Sequence, residues 1–189
     1  PFGRNIAGTP TDNNADFAWV QHMISSMALP NGRMGIVLPH GALFRGGVEG
    51  KIRKELLKRD LLESVIGLGP NLFYGTSISA CILIFRLNKV SKKKDKVHFI
   101  DGSELFTKGR NQNFFREEHA KQILEWYNQY EDIENVSKVV GISEIKENEF
   151  NLNISRYVVK VDEEDKITLK EAYKEMLNSQ KEFEESQEK

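Results

Sequence analysis

Phe17, Val20, Ile24 and Met27 recur at three- and four-residue spacings, which predicts a helix in ADFAWVQHMISSMA, stopped by Pro30-Asn31-Gly32. The turn-rich GTPTDNN precedes it, and Asn13 or Asn14 is placed to cap it. RMGIVLP (33–39) is a short apolar run between turns, the pattern of a buried parallel strand. After the glycine-bearing HGALFRGG, VEGKIRKELLKRD predicts a second helix. Val48, Ile52 and Leu56 share one of its faces, with Lys51, Arg53 and Lys54 turned elsewhere. ESVIGL (63–68), ACILIFRL (80–87) and KVHFID (96–101) predict three more strands, and GPNLFYGTSIS is a long loop between the first two. NFFREEHAKQILEWYNQY predicts a helix with Ala120, Ile123, Leu124 and Tyr127 along one face. Residues 135–161 read as irregular or short-stranded. In the tail, Thr168 and Glu171 form a capping box, and Leu169, Met176 and Phe183 recur every seven residues.

Strand–helix–strand segments of this length imply right-handed crossovers in a parallel sheet. The strands at 63–68 and 80–87 lack a helix between them and are expected to form an antiparallel pair. The pattern therefore predicts an α/β fold: a mostly parallel sheet ending in an antiparallel hairpin, followed by helices.

Composition narrows the class. With 39% hydrophobic and 29% charged residues in 189, the chain holds enough apolar material for a packed core. The single Cys81 excludes an internal disulfide framework and a Cys-based zinc site, and its place in ACILIF predicts a buried core residue. His22, His98 and His119 show no metal-ligand spacing with a carboxylate pair, so no metal is expected. No apolar stretch has membrane-spanning length and no signal-peptide pattern precedes the first turn, which makes a cytoplasmic protein the expectation. The net charge of −1 is unevenly spread. Residues 161–189 hold ten of the 28 acidic and five of the 27 basic residues, so the first 160 hold 18 and 22. A mildly basic body with an acidic tail permits a polyanionic partner without requiring one.

The block LPHGALFRGGVEGKIRKELLKRDLLESVIGLGPNLFYGTSISACILIF resembles the modification subunits of type I restriction–modification systems, and NEFNLNISRYV resembles a second stretch of that family. The resemblance covers roughly residues 1–159. It implies an adenine-specific DNA methyltransferase using S-adenosylmethionine, with DNA, a specificity subunit and a restriction subunit as partners. It further implies the C-terminal half of a Rossmann-like methyltransferase sheet over residues 1–110, a family-specific extension over 111–160 and a helical tail over 161–189. The family carries an Asn-Pro-Pro-Phe motif whose last two residues match Pro1-Phe2. On that reading the chain is the C-terminal part of a larger subunit, cut within the catalytic loop. The family's glycine-rich cofactor motif is not found in the sequence, so this stretch by itself is expected to bind S-adenosylmethionine poorly and to lack activity.

Adenine's exocyclic amine is a poor nucleophile because its lone pair is delocalised into the ring. A motif that accepts both amino hydrogens draws that nitrogen towards pyramidal geometry, so positioning and electrostatics supply most of the rate. The base is out of reach inside a duplex and must be flipped out and held. The resemblance assigns Phe2 to stacking on the flipped adenine and Pro1 to stiffening the loop. Phe73 and Tyr74 border the target-base pocket in the family. One of them is expected to plug the core and the other to face the site, with no periodicity to say which. Gly75-Thr76 reads as a tight turn. Arg45, Lys51 and Arg53 flank a glycine-bearing helix start that suits DNA phosphates; for Lys51 a solvated role competes. His40 stands where family members commonly carry Asn. The seam of Leu169, Tyr173, Met176 and Phe183 is a candidate docking surface for the specificity subunit, or folds back on its own domain. Two rival functions remain: a binding module without catalysis, and a methyltransferase relative acting on RNA or a small substrate.

Overall fold

The computed structural model describes residues 3–160, 173–174 and 176–180. A five-stranded mixed sheet forms from β1 (Arg33–Pro39), β2 (Leu62–Leu68), β3 (Ala80–Arg86), β4 (Lys96–Gly102) and β5 (Ser137–Gly141), in the order β1-β3-β2-β4-β5. The predicted strands lie within a residue of their expected bounds; their order differs from the expectation. β2 and β3 are antiparallel as expected, but β3 inserts between β1 and β2 and pairs antiparallel with both. β1 thus has no parallel neighbour among the described residues. It lies at the sheet edge, where exposure alternates along it, instead of being buried on both faces. The parallel pair is β2 with β4.

Strand β2 is buried along its whole length because helices cover both of its faces. On one face lie α1 (Asp16–Ser25), through Phe17, Val20 and Ile24, and α2 (Gly47–Lys58), through Ile52, Leu56 and Leu57. Leu152, Ile154 and Tyr157 complete this core, so the segment before residue 160 packs into the body. The stretch expected to be irregular or short-stranded supplies β5, antiparallel to β4, and the short helix α4 (Ile142–Glu147). Asn14 Oδ1 accepts the Asp16 N–H at 3.0 Å, but the cap position itself is Ala15, which supplies no side-chain bond, so neither Asn13 nor Asn14 stands at the cap. Cys81 is fully buried, and burial pushes its thiol up to about 12.

On the other face lies α3 (Glu117–Gln129), whose Ile123 and Tyr127 pack on Ile66, Leu68 and Ile100. It covers the β2–β4 half only. Leu124, expected on the buried face, is 56% exposed beside a groove of about 480 Å³ that also takes in Ile82, Ile84 and Phe115. No helix among the described residues is long and apolar enough to cross a membrane.

Candidate functional site

β1, β2 and β4 run the same way, so their carboxyl ends, Pro39, Leu68 and Gly102, share one edge of the sheet. Open α/β sheets bind ligands outside this edge. Three connections lie there: the turn after β1, the β2–β3 loop and the β4–α3 loop.

The β2–β3 loop folds back on itself. Phe73 and Thr76 form an antiparallel bridge, leaving Tyr74 and Gly75 at the tip of a tight turn, where Gly75 takes φ +75°. Thr76 Oγ1 accepts the Ile78 N–H at 3.1 Å, so this hydroxyl serves the turn. Phe73, Ile78, Val37 and Pro39 line a mainly apolar cavity of about 350 Å³, with Leu38, Thr76, Ser79 and Ala80 completing it. Tyr74 is 95% exposed and lines none of it, and Phe73 is itself 44% exposed, so neither aromatic plugs the core as one of them was expected to. His40 follows β1 at the same edge, and its backbone N–H donates to Ser79 O at 3.2 Å. Its Nε2 is buried without a hydrogen bond among the described residues. Burial lowers its pKa, opposed by the Asp101 carboxylate.

The three candidate phosphate contacts are placed differently from one another. Arg45 binds the Asp16 carboxylate and donates Nε to Glu49 Oε2 at 2.6 Å. Arg53, expected to turn away from the core, is 5% exposed. It donates to the carbonyls of Phe150, Ala42 and Arg45 at 2.9, 3.2 and 2.9 Å, fastening α2 to the chain around residue 150. A phosphate contact would require it to leave these partners. Lys51 is exposed beside a cavity of about 520 Å³ at the start of α2, which Gly46, Gly50, Lys54 and Lys146 also line. In the glycine-bearing turn before α2, Arg45 fills the space over Gly41, its Nη1 2.8 Å from where an added Cβ would stand, and its guanidinium engages Asp16 and one oxygen of Glu49, while Gly46 and Gly47 face open space.

Pro1, Phe2, Leu169 and Phe183 lie outside the described residues. Tyr173 and Met176 are helical and exposed, at 59% and 55%. No cluster of metal-ligating side chains occurs among the described residues. His119 is occupied as a helix cap, its Nδ1 accepting the Arg116 N–H at 3.0 Å.

Sequence reasoning missed the β4–α3 loop, which braces the β2–β3 loop. Asn113 N donates to Asn71 O at 2.8 Å, Gln112 Nε2 to Leu72 O at 2.7 Å, and Asn113 Nδ2 to Pro70 O at 2.9 Å. The signal was the run NQN, three side-chain amides able to bond neighbouring backbone.

Residues 2–166 match the profile of the N-6 DNA methylase family, and the chain belongs to that family. It is 41% identical over 181 residues to the type I restriction enzyme MjaVII methylase subunit of Methanocaldococcus jannaschii, covering 93% of this chain and 31% of that protein. It is 37% identical over 166 residues to the HindI methylase subunit of Haemophilus influenzae, covering 84% of this chain and 37% of the relative. Among solved structures, the type I restriction–modification methyltransferase subunit of Streptococcus thermophilus superposes with a TM-score of 0.76 at 42% identity, over 83% of this chain and 33% of that one. The chain thus spans about a third of the length of these relatives.

Proposed function

We propose that the chain forms the target-base side of a type I restriction–modification methyltransferase subunit, which transfers a methyl group from S-adenosylmethionine to the exocyclic amine of adenine in DNA. The observation that carries this reading is the cavity walled by Phe73 at the carboxyl edge of the sheet, in a chain of the N-6 DNA methylase family. An apolar slot with an aromatic wall suits a base lifted out of the duplex, and a base–aromatic stack contributes roughly 1–3 kcal/mol. Phe2 supplies a second aromatic face and Pro1 stiffens its loop. The fold corresponds to the C-terminal half of a Rossmann-like methyltransferase sheet. S-adenosylmethionine is held mainly by residues outside this chain, and these residues by themselves are inactive. Lys51 is the candidate of the α2 region for a DNA phosphate, while Arg45 and Arg53 hold the turn that presents it. The seam around Tyr173 and Met176 docks on the specificity subunit, and the restriction subunit joins the assembly. The organisation follows the three segments 1–110, 111–160 and 161–189.

The test places 2-aminopurine at the target position and uses the complete subunit assembled with its specificity partner. Phe73→Ala should lower the methylation rate roughly 5- to 150-fold and change the fluorescence of the bound 2-aminopurine. Unchanged rate and fluorescence would remove Phe73 from the base site.

A further inference from the structure

Two loops at the carboxyl edge are joined into one body. The 107–114 loop closes on itself through paired bonds between Thr107 and Phe114, each N–H donating to the other's carbonyl at 2.9 Å. It is tightly folded: a Cβ at Gly109 would lie 2.2 Å from Gln112 O and 2.6 Å from the Phe114 ring. Its amide residues hold the β2–β3 loop through the bonds given above, and Asn71 Nδ2 donates back to Asn111 O at 3.2 Å. Tyr74 therefore stands exposed on a braced turn and not on a loose one. An exposed aromatic held this way gives up little conformational freedom on stacking.

The two loops themselves carry charge of one sign. Residues 69–79 and 105–116 contain no Asp or Glu, while the second segment carries Lys108, Arg110 and Arg116. Lys108 and Arg110 are exposed and have no ion-pair partner among the described residues. Arg116 lies over the exposed Phe114 ring, 5.6 Å from its centroid. Of the flanking carboxylates, Glu104 binds Lys160 and Glu117 binds Lys121, while Glu118 is exposed in the first turn of α3. Free cations interleaved with exposed aromatics on a rigid platform match a nucleic-acid strand, whose phosphates pair with the cations and whose bases stack on the rings.

We infer that the joined loops 69–79 and 105–116 hold the DNA strand next to the extruded base, with Lys108 and Arg110 on its phosphates and Tyr74 stacking on a base exposed beside the gap that the extruded adenine leaves. This rests on the base-site reading above and assigns the two adjacent aromatics different roles: Phe73 walls the base cavity and Tyr74 meets the neighbouring strand.

The test is fluorescence anisotropy of a labelled single-stranded DNA oligonucleotide of mixed sequence, titrated with the full 189-residue chain at several salt concentrations. Lys108→Gln with Arg110→Gln should reduce the slope of log affinity against log salt by about 1.4, since each phosphate contact on a single strand contributes about 0.7. The charge-matched pair Lys92→Gln with Lys94→Gln, exposed on the β3–β4 turn at the opposite edge, should leave the slope unchanged. Tyr74→Ala should weaken binding roughly 5- to 150-fold. Circular dichroism checks that each variant stays folded. Equal slopes for the two charge pairs, or no strand binding by the wild-type chain at low salt, overturn the inference. The base-site reading is tested separately: methylation impaired by Phe73→Ala with unaltered slopes would sink the strand platform alone, and the reverse pattern would sink the base site alone.

Discussion

Tyr127 of α3 donates its hydroxyl to Oε1 of Glu63, a carboxylate with no solvent exposure at the start of β2. Arg86 Nε binds the other oxygen, and Lys93 Nζ reaches Oε1 at 3.1 Å while lying over the Tyr127 and Tyr130 rings. One buried carboxylate thus ties α3, β3 and the β3–β4 turn together, at the sheet edge opposite the candidate site. Burial pushes the Glu63 pKa up, but the Tyr127, Lys93 and Arg86 donors outweigh it and hold the carboxyl below its ordinary value. A depressed carboxylate stabilises the fold above its unfolded pKa, and that contribution is lost as pH falls through the folded value. Glu63→Gln should lower stability at pH 7 by roughly 2–3 kcal/mol, less than for a fully buried pair because both cations keep some solvent contact. For a chain of this size that is roughly 4–12 °C in Tm. The variant should also lose part of the acid sensitivity below about pH 4.3. An unchanged thermal midpoint would show the cluster to be energetically idle.

His98 titrates in a separate window. It is fully buried, its ring 4.9 Å from that of Tyr130, and its pKa falls to about 4. Burial is the main cause and the Lys93 ammonium adds to it, against Glu131, Asp132 and Glu63. The unfolded chain therefore binds this proton first, and stability falls as pH drops from about 6.5 to about 4. His98→Leu should flatten the stability-against-pH curve in that window while leaving the Glu63-dependent loss at lower pH. Urea unfolding at half-unit pH intervals checks it; an equally steep curve in the variant would place the titrating group elsewhere.

Strands β1 to β4 were legible because each is a short apolar run between turn residues, a local signal, whereas β5, in SKVVG, was not singled out. Their order was not. Placing β3 between β1 and β2 depends on pairing two strands 40 residues apart, which no period within either strand reveals. In α2, Glu49, Ile52, Arg53 and Leu56 follow i, i+3, i+4, i+7 and all four are buried. The stripe was present in the sequence, but two of its members are charged, and a pattern scored on apolar residues discards them. Lys93 was hidden likewise inside SKKKDK, which reads as solvated charge although this one lysine reaches a buried carboxylate 30 residues away. The cavity at the carboxyl edge was legible only as a loop with two aromatics. The braced turn that separates Phe73 from Tyr74 depends on amide side chains some 40 residues downstream.

Arg53 offers a direct contrast between a structural and a DNA-binding role. Its guanidinium serves three carbonyls from inside the core, and burial holds its pKa down at about 10, with Glu49 opposing. Arg53→Met should leave those carbonyls without a donor and lower stability by roughly 2–4 kcal/mol. Arg53→Lys should recover only part of this, since one ammonium does not reproduce the planar fork. A phosphate-contacting arginine would behave oppositely, with an unchanged midpoint in thermal unfolding and a shallower salt dependence of DNA binding.

Tyr173, Met176 and Leu177 place three apolar side chains on one turn of helix in an otherwise acidic segment, and they are 59%, 55% and 40% exposed. A lone helix is marginal in water, so its stability is expected to come from packing. The ten carboxylates of residues 161–189 oppose a DNA strand as the covering surface, because like charge adds repulsion where counterion release is needed. A protein surface remains, and the proposed assembly supplies one in the specificity subunit. Tyr173→Asp with Met176→Asp should weaken that assembly at least tenfold, given roughly 1.5–3 kcal/mol for each apolar side chain buried. The far-ultraviolet dichroism and thermal midpoint of the body should stay as they are, because neither residue belongs to its two cores. Co-purification with the specificity subunit at graded salt reads the first effect and thermal unfolding the second. Full assembly by the variant would remove the docking role, and a lowered midpoint would instead place this helix against its own domain.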